Sequence, residues 1–386
     1  MSEQAGLMNE HKAGTEEPKI AALLAERIEA GDFPSAVYLV AERGRVIYAG
    51  ALGDAVREPA RHPARLDTIY DLASLTKPLV TGLLCALFAE RGLLELDATL
   101  SSYLPEFERE DKRALTVRQL LTHTSGLPSW RPLYLLCEGE RERVLSVIAE
   151  QPLEYETGTR VIYSDLGFIT LGFLLRRLTG NALAELARRE IFEPLDLRDT
   201  LFNPEQARQT GVAACESGGN AHERGMCEGE YTATLHAARW REHTVWGEVH
   251  DGNAYFLGGA AGHAGLFSTA TETLRIAGQF VAASTRLLKA ETCRLFRTDM
   301  TEGLDEARSL GWQLAATEGS TAGPKLPPDA FGHLGFTGTS CWIDPREERI
   351  FILLTNRTHA RPLPFVNING VRRSFHSLAV EALEAR

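Results

Sequence analysis

The feature that most constrains this chain is where its two periodicities fall. Two runs with strand character, Ala36 to Ala41 and Arg45 to Ala51, stand near the N-terminus, joined by Glu42-Arg43-Gly44 as a hairpin turn. Four more stand near the other end: Leu310 to Ala315, Gly332 to Phe336, Ser340 to Ile343 and Ile350 to Thr355. Asp344-Pro345-Arg346-Glu347-Glu348 is the turn between the last two. Between these groups the chain follows helical spacing or none. An isolated hairpin is marginal in water, so the two ends are expected to meet in one sheet and the middle to be an insertion. The expected fold class is α+β: an antiparallel β-sheet flanked by terminal helices, with an inserted mainly helical lobe. The boundaries expected are a disordered or loosely attached stretch over 1–18, a sheet lobe of 19–76 plus 262–386, and a helical lobe of 77–261 with irregular active-site loops.

The terminal helices are expected over Ile20 to Ala30 and Gly370 to Glu384. Leu79, Val80, Leu83, Leu84, Leu87 and Phe88 form one broad apolar face ended by Gly92. Further helices are expected over Leu115 to Leu121, Arg141 to Glu150, Leu166 to Leu178 and Ala182 to Ile191, and from a Ser268-Thr269 cap to about Ala283. Residues 203–255 have no clear period and read as an active-site wall or lid.

Composition narrows the function classes. The formal net charge of -11 and the absence of a Lys/Arg block argue against a nucleic-acid partner. None of the six cysteines, at 85, 137, 215, 227, 293 and 341, sits in a C-x-x-C pair or a zinc-like Cys/His spacing, so neither metal nor cofactor is expected. Cys85 reads as a buried thiol; Cys215 and Cys227 are near enough in sequence to bridge, though nothing else suggests an oxidising compartment. The N-terminus lacks the basic and apolar regions of a signal peptide, and Leu83 to Ala89 is too short to span a bilayer. The expectation is a cytoplasmic protein as written, periplasmic or secreted if a leader was removed, and a monomer.

Three stretches carry chemistry. Ser74 and Lys77 lie three residues apart, just before the apolar helix. On one helical face near its N-terminus, such a serine has free N–H groups for a developing oxyanion, and the lysine eases its deprotonation. Alone, the pair reads more readily as a capping serine and a solvated lysine. Tyr163-Ser164-Asp165 precedes the Leu166 to Leu178 helix. A tyrosine serves as general base when a neighbouring cation depresses its pKa; otherwise it is a packed aromatic beside an N-cap. His333-Leu334-Gly335-Phe336-Thr337-Gly338 is a glycine-containing strand along which a substrate backbone can pair. His333 offers a donor or a positive charge there, or is an ordinary half-buried histidine.

These three motifs, in this order and at these intervals, resemble the serine β-lactamase and penicillin-binding-protein superfamily, nearest the class C β-lactamase, DD-peptidase and family VIII esterase branch. Asp71 to Leu104, Leu115 to Pro128, Tyr155 to Leu178 and Gly258 to Ala270 share the likeness. His123-Thr124-Ser125-Gly126-Leu127-Pro128 resembles a structural loop of the branch, and Val249-His250-Asp251 with the glycine-rich turn resembles one of its subgroups. The resemblance implies the β-lactamase/transpeptidase-like fold, Ser74 as acylated nucleophile, Lys77 as its activator and Tyr163 as general base. It further implies an oxyanion hole of the Ser74 and Phe336 N–H groups, and substrate contacts from Asp165, His333, Gly335 and Phe336. The expected partner is a small-molecule ester, amide or β-lactam, without a cofactor.

Two departures bear on that substrate. Asp165 stands where many relatives carry asparagine, and a carboxylate only accepts hydrogen bonds. His333 and Leu334 stand where lactamases carry lysine and threonine, so a partly charged imidazole and an apolar side chain replace a carboxylate clamp. Both point to neutral acyl substrates, and the leading expectation is a carboxylesterase of β-lactamase fold. The alternatives are a DD-peptidase or β-lactamase acting on cell-wall peptides or penicillins, and a non-catalytic module that binds peptidoglycan.

Overall fold

The computed structural model describes residues 14–204, 206–238 and 240–386. Its strands, in chain order, are β1 (Ser35–Glu42), β2 (Arg45–Val56), β3 (His62–Pro63), β4 (Tyr70–Asp71), β5 (Leu201–Phe202), β6 (Leu266–Ser268), β7 (Gln313–Leu314), β8 (Phe331–Leu334), β9 (Ser340–Asp344) and β10 (Arg349–Thr355). Seven make one sheet in the order β3-β2-β1-β10-β9-β8-β7. The two chain ends meet at β1 and β10, which run antiparallel from Ala36 opposite Thr355 to Glu42 opposite Arg349. This is the α+β architecture expected from the placement of the strand-like runs.

Period-2 alternation fills both faces of this sheet. Ala36, Tyr38 and Val40 of β1, with Phe351 and Leu353 of β10, pack under the N-terminal helix Pro18–Glu29 and the C-terminal helix Asn369–Glu384. Val37 and Leu39, with Ile352 and Leu354, face the other way, into the core that holds Leu79, Val80, Leu83 and Leu84. Each such buried side chain contributes about 1.5–3 kcal/mol. The β1–β2 turn is shorter than expected: Arg43 and Gly44 alone turn it, both at positive φ (50° and 73°), as a two-residue hairpin matched to strand twist requires.

Residues 1–13 of the stretch expected to be loose lie outside the described residues. Thr15, also expected to be loose, instead extends the sheet edge, giving its N–H to Ile47 O and taking that of Ala49. The helix expected from Ser268-Thr269 to Ala283 is shorter, Ala270–Ala277, capped by Thr269 and followed by a 3₁₀ turn to Phe280. The 203–255 segment is not wholly irregular: it holds short helices at Ala221–Cys227 and Gly252–Phe256. A second, small sheet, β4-β6-β5, has no counterpart in the sequence pattern. Its strands are two or three residues long, below the reach of periodicity. It ties Tyr70-Asp71, just ahead of Ser74, to Phe267 and Ser268, just after the glycine-rich turn.

All six cysteines are free and buried, so Cys215 and Cys227 do not bridge. The segment Ala73–Glu90 is long and apolar enough on composition to cross a membrane, yet 83% of it is buried inside the protein.

Candidate active site

The segment around Ser74 is not the regular helix that the spacing suggests. Ala73–Leu75 is a 3₁₀ turn, Lys77–Gly82 winds as a π-helical turn, and the α-helix proper is Leu83–Glu90. Pro78 has no N–H to bond back towards Ser74, which favours the wide turn. Ala73, immediately before Ser74, sits at φ 48°, a left-handed conformation that costs an alanine about 1–2 kcal/mol. Asp71 holds it there: Oδ1 accepts the Ala73 N–H at 2.8 Å and Oδ2 the His250 N–H at 2.8 Å. Asp71 is buried, which raises its pKa. Thr337 Oγ1 donates to Asp71 O (2.8 Å) and Thr339 Oγ1 to Leu72 O (3.1 Å), clamping the end of β8 against this turn. A Cβ on Gly335 would lie 2.6 Å from Leu72 O, so only glycine allows the approach. The result is that the strand end leading to Phe336 is held against the turn that carries Ser74, so the backbone N–H groups of both residues belong to one clamped unit. Two such donors can receive an oxyanion.

Lys77 is fully buried, and its Nζ donates to Ser74 Oγ at 3.0 Å and to His263 O at 3.1 Å. The same Nζ makes an ion pair with Asp165 Oδ1 at 2.7 Å and lies 4.7 Å from the centroid of the Tyr163 ring. Burial is the largest single influence on Lys77 and favours the neutral amine, but Asp165 and Tyr163 together outweigh it and hold the ammonium above the usual lysine range. Tyr163 is raised as well, for a different reason. Burial raises its pKa, Lys77 offsets this only in part, and the hydroxyl stays a phenol within bonding reach of Lys77 and Ser74.

The His123 to Pro128 loop positions Tyr163. His123 takes φ 60°, and its Nδ1 accepts the Ser164 N–H at 3.0 Å while its ring packs 4.6 Å from that of Tyr163. Ser164 Oγ donates to Pro128 O (2.7 Å) and accepts the Gly167 N–H, so Ser164 is the N-cap of the helix Asp165–Thr179. Asp165, the first residue of that helix, therefore points at Lys77.

Of the residues read as substrate contacts, Gly335 lies against the Leu72–Ala73 turn just ahead of Ser74, Phe336 is 37% exposed and stacks on His250, and Asp165 and His333 differ from expectation. Asp165 is engaged by the Lys77 ammonium. His333 is not partly charged: it is buried, and burial followed by the Lys77 and Arg308 charges drives its pKa well below the usual value. Its Nδ1–H donates to Leu334 O at 2.8 Å, which leaves Nε2 as an acceptor without a protein partner among the described residues. The sequence motifs also left out the residues around Lys77. Asp251 accepts from His263 Nε2 at 2.8 Å, and burial is outweighed by that imidazole so that Asp251 stays ionised. His250 Nε2 meets Glu216 at 2.9 Å. The stretches containing His250, Asp251 and His263 carried a family likeness but no spacing that announces a role, and Glu216 carried neither. Asp165, Asp251 and His263 place ligand-type atoms within 4.8 Å of one another. Lys77 already supplies positive charge there through its ion pair with Asp165, so a cation has no clear place.

The comparisons with known proteins decide the family. The Beta-lactamase family model matches residues 20–369. The chain belongs to the beta-lactamase family. Within it, the chain is 31% identical over 369 residues to an Escherichia coli (strain K12) protein named "Putative D-alanyl-D-alanine carboxypeptidase", covering 87% of this chain and 81% of the relative. It is 32% identical over 363 residues to the "N-acetylmuramyl-L-alanine amidase" of Bacillus subtilis (strain 168), covering 87% and 80%. Its backbone superimposes on a class C beta lactamase from Rhodobacter sphaeroides with a TM-score of 0.70 at 19% identity, over 96% of this chain and 100% of that one. A family VIII carboxylesterase matches with a TM-score of 0.69 at 21% identity, over 95% and 99%. These structural likenesses establish the β-lactamase/transpeptidase fold, and the family makes the chain a hydrolase of the serine β-lactamase superfamily.

Proposed function

We propose that this chain hydrolyses the amide bond between a muramyl-type acyl group and a peptide, through a covalent acyl-enzyme on Ser74. The observation that carries the proposal is the neutral, buried His333 beside Leu334, where a substrate carboxylate would need a cationic clamp. That position disfavours penicillins and D-alanyl-D-alanine termini, whose carboxylate lies next to the scissile bond. The N-acetylmuramyl-L-alanine linkage in the name of the Bacillus subtilis relative has a neutral acyl half, and the identity to that relative supports the reading. Tyr163 supports cleavage of amides in particular, because a phenol with a raised pKa holds the proton that a leaving amine needs.

In this mechanism Ser74 Oγ attacks the carbonyl carbon. Its proton passes to the Lys77–Tyr163 pair, which titrates as one unit and acts once it has given up a proton. The Ser74 and Phe336 N–H groups receive the oxyanion. Tyr163 returns the proton to the leaving nitrogen as the C–N bond breaks. A water activated by the same pair then cleaves the Ser74 ester and releases the acid. Esters need less help at the leaving group, so a carboxylesterase remains the second reading, favoured by the same uncharged pocket.

The test is a hydrolysis panel of muramyl dipeptide, p-nitrophenyl acetate, nitrocefin and a D-Ala-D-Ala peptide, with wild type and Ser74→Ala side by side. Peptide release from muramyl dipeptide, lost in Ser74→Ala, is the expected result. Turnover confined to p-nitrophenyl acetate would instead establish the esterase, and turnover of nitrocefin or D-Ala-D-Ala would overturn the argument from His333.

A further inference from the structure

Phe336 stands between two carbonyls that are each held by an arginine. Arg372, on the C-terminal helix Asn369–Glu384, is 5% exposed. Its Nη2 donates to Gly335 O at 2.8 Å and to Thr339 O at 3.0 Å, and its Nη1 to Asn369 Oδ1 at 2.8 Å. The Gly338 N–H also reaches Gly335 O, at 3.0 Å, so both lone pairs of that oxygen are taken. On the other side of Phe336, Arg357 Nε donates to Phe336 O at 2.6 Å and its Nη1 to Val366 O at 2.7 Å. The Arg357 guanidinium also lies 4.8 Å from the centroid of the Phe336 ring. A peptide group is planar, so holding the planes before and after one residue fixes both of its backbone dihedrals.

Neither charge has a counter-ion. Among the described residues, the acceptors of these two guanidinium groups are backbone carbonyls and the Asn369 amide, never a carboxylate. Burial, followed by repulsion from Arg357, lowers the pKa of Arg372 to about 9, and burial lowers that of Arg357 as well. A buried charge is ordinarily paired, so an unpaired one calls for a reason. Fastening the helix is not that reason, because Phe375, Ala379, Val380 and Leu383 already pack it on the sheet. The reason lies in the Gly335–Phe336 peptide. Its C=O and N–H point in opposite directions, so with Gly335 O turned to the C-terminal helix the Phe336 N–H is turned away from it. A charged donor on the carbonyl also polarises the peptide and strengthens its N–H.

We propose that Arg372 and Arg357 are positioning residues of the oxyanion hole, which fix the peptide planes on either side of Phe336 so that its N–H is aimed at the oxyanion formed on Ser74. The proposal rests on the reading of Ser74 as nucleophile and of the Phe336 N–H as oxyanion donor. It does not depend on which acyl substrate is the natural one.

The experiment uses the full chain as wild type, Arg372→Met and Arg357→Met; methionine keeps an unbranched side chain and removes the donors. Single-turnover acylation by p-nitrophenyl acetate separates the acylation rate constant from the substrate dissociation constant. Phenylboronic acid, which adds to a serine hydroxyl as a tetrahedral anion, reads the oxyanion hole without turnover. The acylation constant is expected to fall about 10²-fold in Arg372→Met and about tenfold in Arg357→Met, with boronate affinity falling in step and the substrate dissociation constant within about threefold of wild type. An unchanged acylation constant in a folded variant overturns the role given to that arginine. Slower acylation with unchanged boronate affinity also overturns it, because the loss then lies outside the oxyanion hole. If Arg372→Met does not fold, Arg357→Met, at a half-buried residue, decides the proposal by the same criteria. A wild type that neither acylates nor binds the boronate overturns the Ser74 reading and this proposal together, whereas a reactive wild type with unaffected variants overturns this proposal alone.

Discussion

Replacing Gly335 with alanine tests how the site is held together. Gly335 is not at positive φ, so the substitution adds a methyl group without backbone strain of its own. The new Cβ would meet Thr339 Oγ1 at 2.0 Å, Leu72 O at 2.6 Å and the Ala73 Cβ at 3.4 Å. The hydroxyl can swing aside; the Leu72 carbonyl cannot, because it belongs to the strained turn that carries Ser74. Relieving that contact moves the end of β8 away by roughly 0.5–1 Å, and a shift of that size in a positioned group costs on the order of 10²-fold in rate. The expected loss in kcat/KM for p-nitrophenyl acetate is therefore about 10²-fold, the scale of one lost oxyanion donor. The overpacking should cost about 1–3 kcal/mol of stability. Stopped-flow acylation and thermal unfolding on the purified variant measure both quantities. Adding Thr339→Ala removes only the movable obstacle and should not restore the rate. A Gly335→Ala enzyme within threefold of wild type, or a rescued double variant, would refute the claim that the Leu72–Gly335 contact sets the oxyanion hole.

Further outcomes follow from charge and burial. Asp165→Asn removes an anion that holds the ammonium; burial then favours the neutral amine, so the acidic limb of the kcat/KM profile should move to lower pH, and an unmoved limb would refute the assignment. The same pairing has a stability sign. Because the folded pKa of Lys77 is raised, its contribution is fully present below the ordinary lysine value and lost as pH rises through the folded one. Tyr163→Phe should lower kcat for muramyl dipeptide by about 10²–10⁴-fold while leaving the Lys77–Ser74 contact in place, and a smaller loss would send the proton elsewhere. Finally, burial pushes the Cys85 and Cys341 thiols up to about 12, and all six cysteines are free, so the native protein should be slow to react with a disulfide reagent and should yield six thiols once unfolded.

Much of this architecture was legible before any coordinates. Strand-like runs at both ends force a shared sheet, and β1 and β10 pair where that argument needs them to. Ser74, Lys77 and Tyr163 come together as their motifs suggest, because each sits on or just before a helix whose apolar face is unambiguous. The illegible part has two physical causes. The small sheet and the left-handed Ala73 are too local for periodicity, and the bonds that fix them come from Asp71, Thr337 and Thr339, with partners set by tertiary contact. Charge states are illegible for the same reason. Asp165 reads as a substrate contact and His333 as a partial cation only while their surroundings are unknown. The 2.7 Å approach of Lys77 gives Asp165 a partner within the protein, and burial removes the partial charge expected of His333. The 203–255 segment is equally hard to read: its lack of period reads as an active-site wall or lid, whereas Asn220, Glu223 and Trp240 line a cavity of about 850 Å³ whose walls do not include Ser74.

The account turns on Ser74 forming a covalent acyl-enzyme, and intact-protein mass spectrometry after acid quench tests this most directly. With p-nitrophenyl acetate, wild type should gain the mass of one acetyl group, mapped by peptide digestion to Ser74, and Ser74→Ala should gain none. An acetyl group that persists in Ser74→Ala, or steady turnover with no adduct at any quench time, would contradict it.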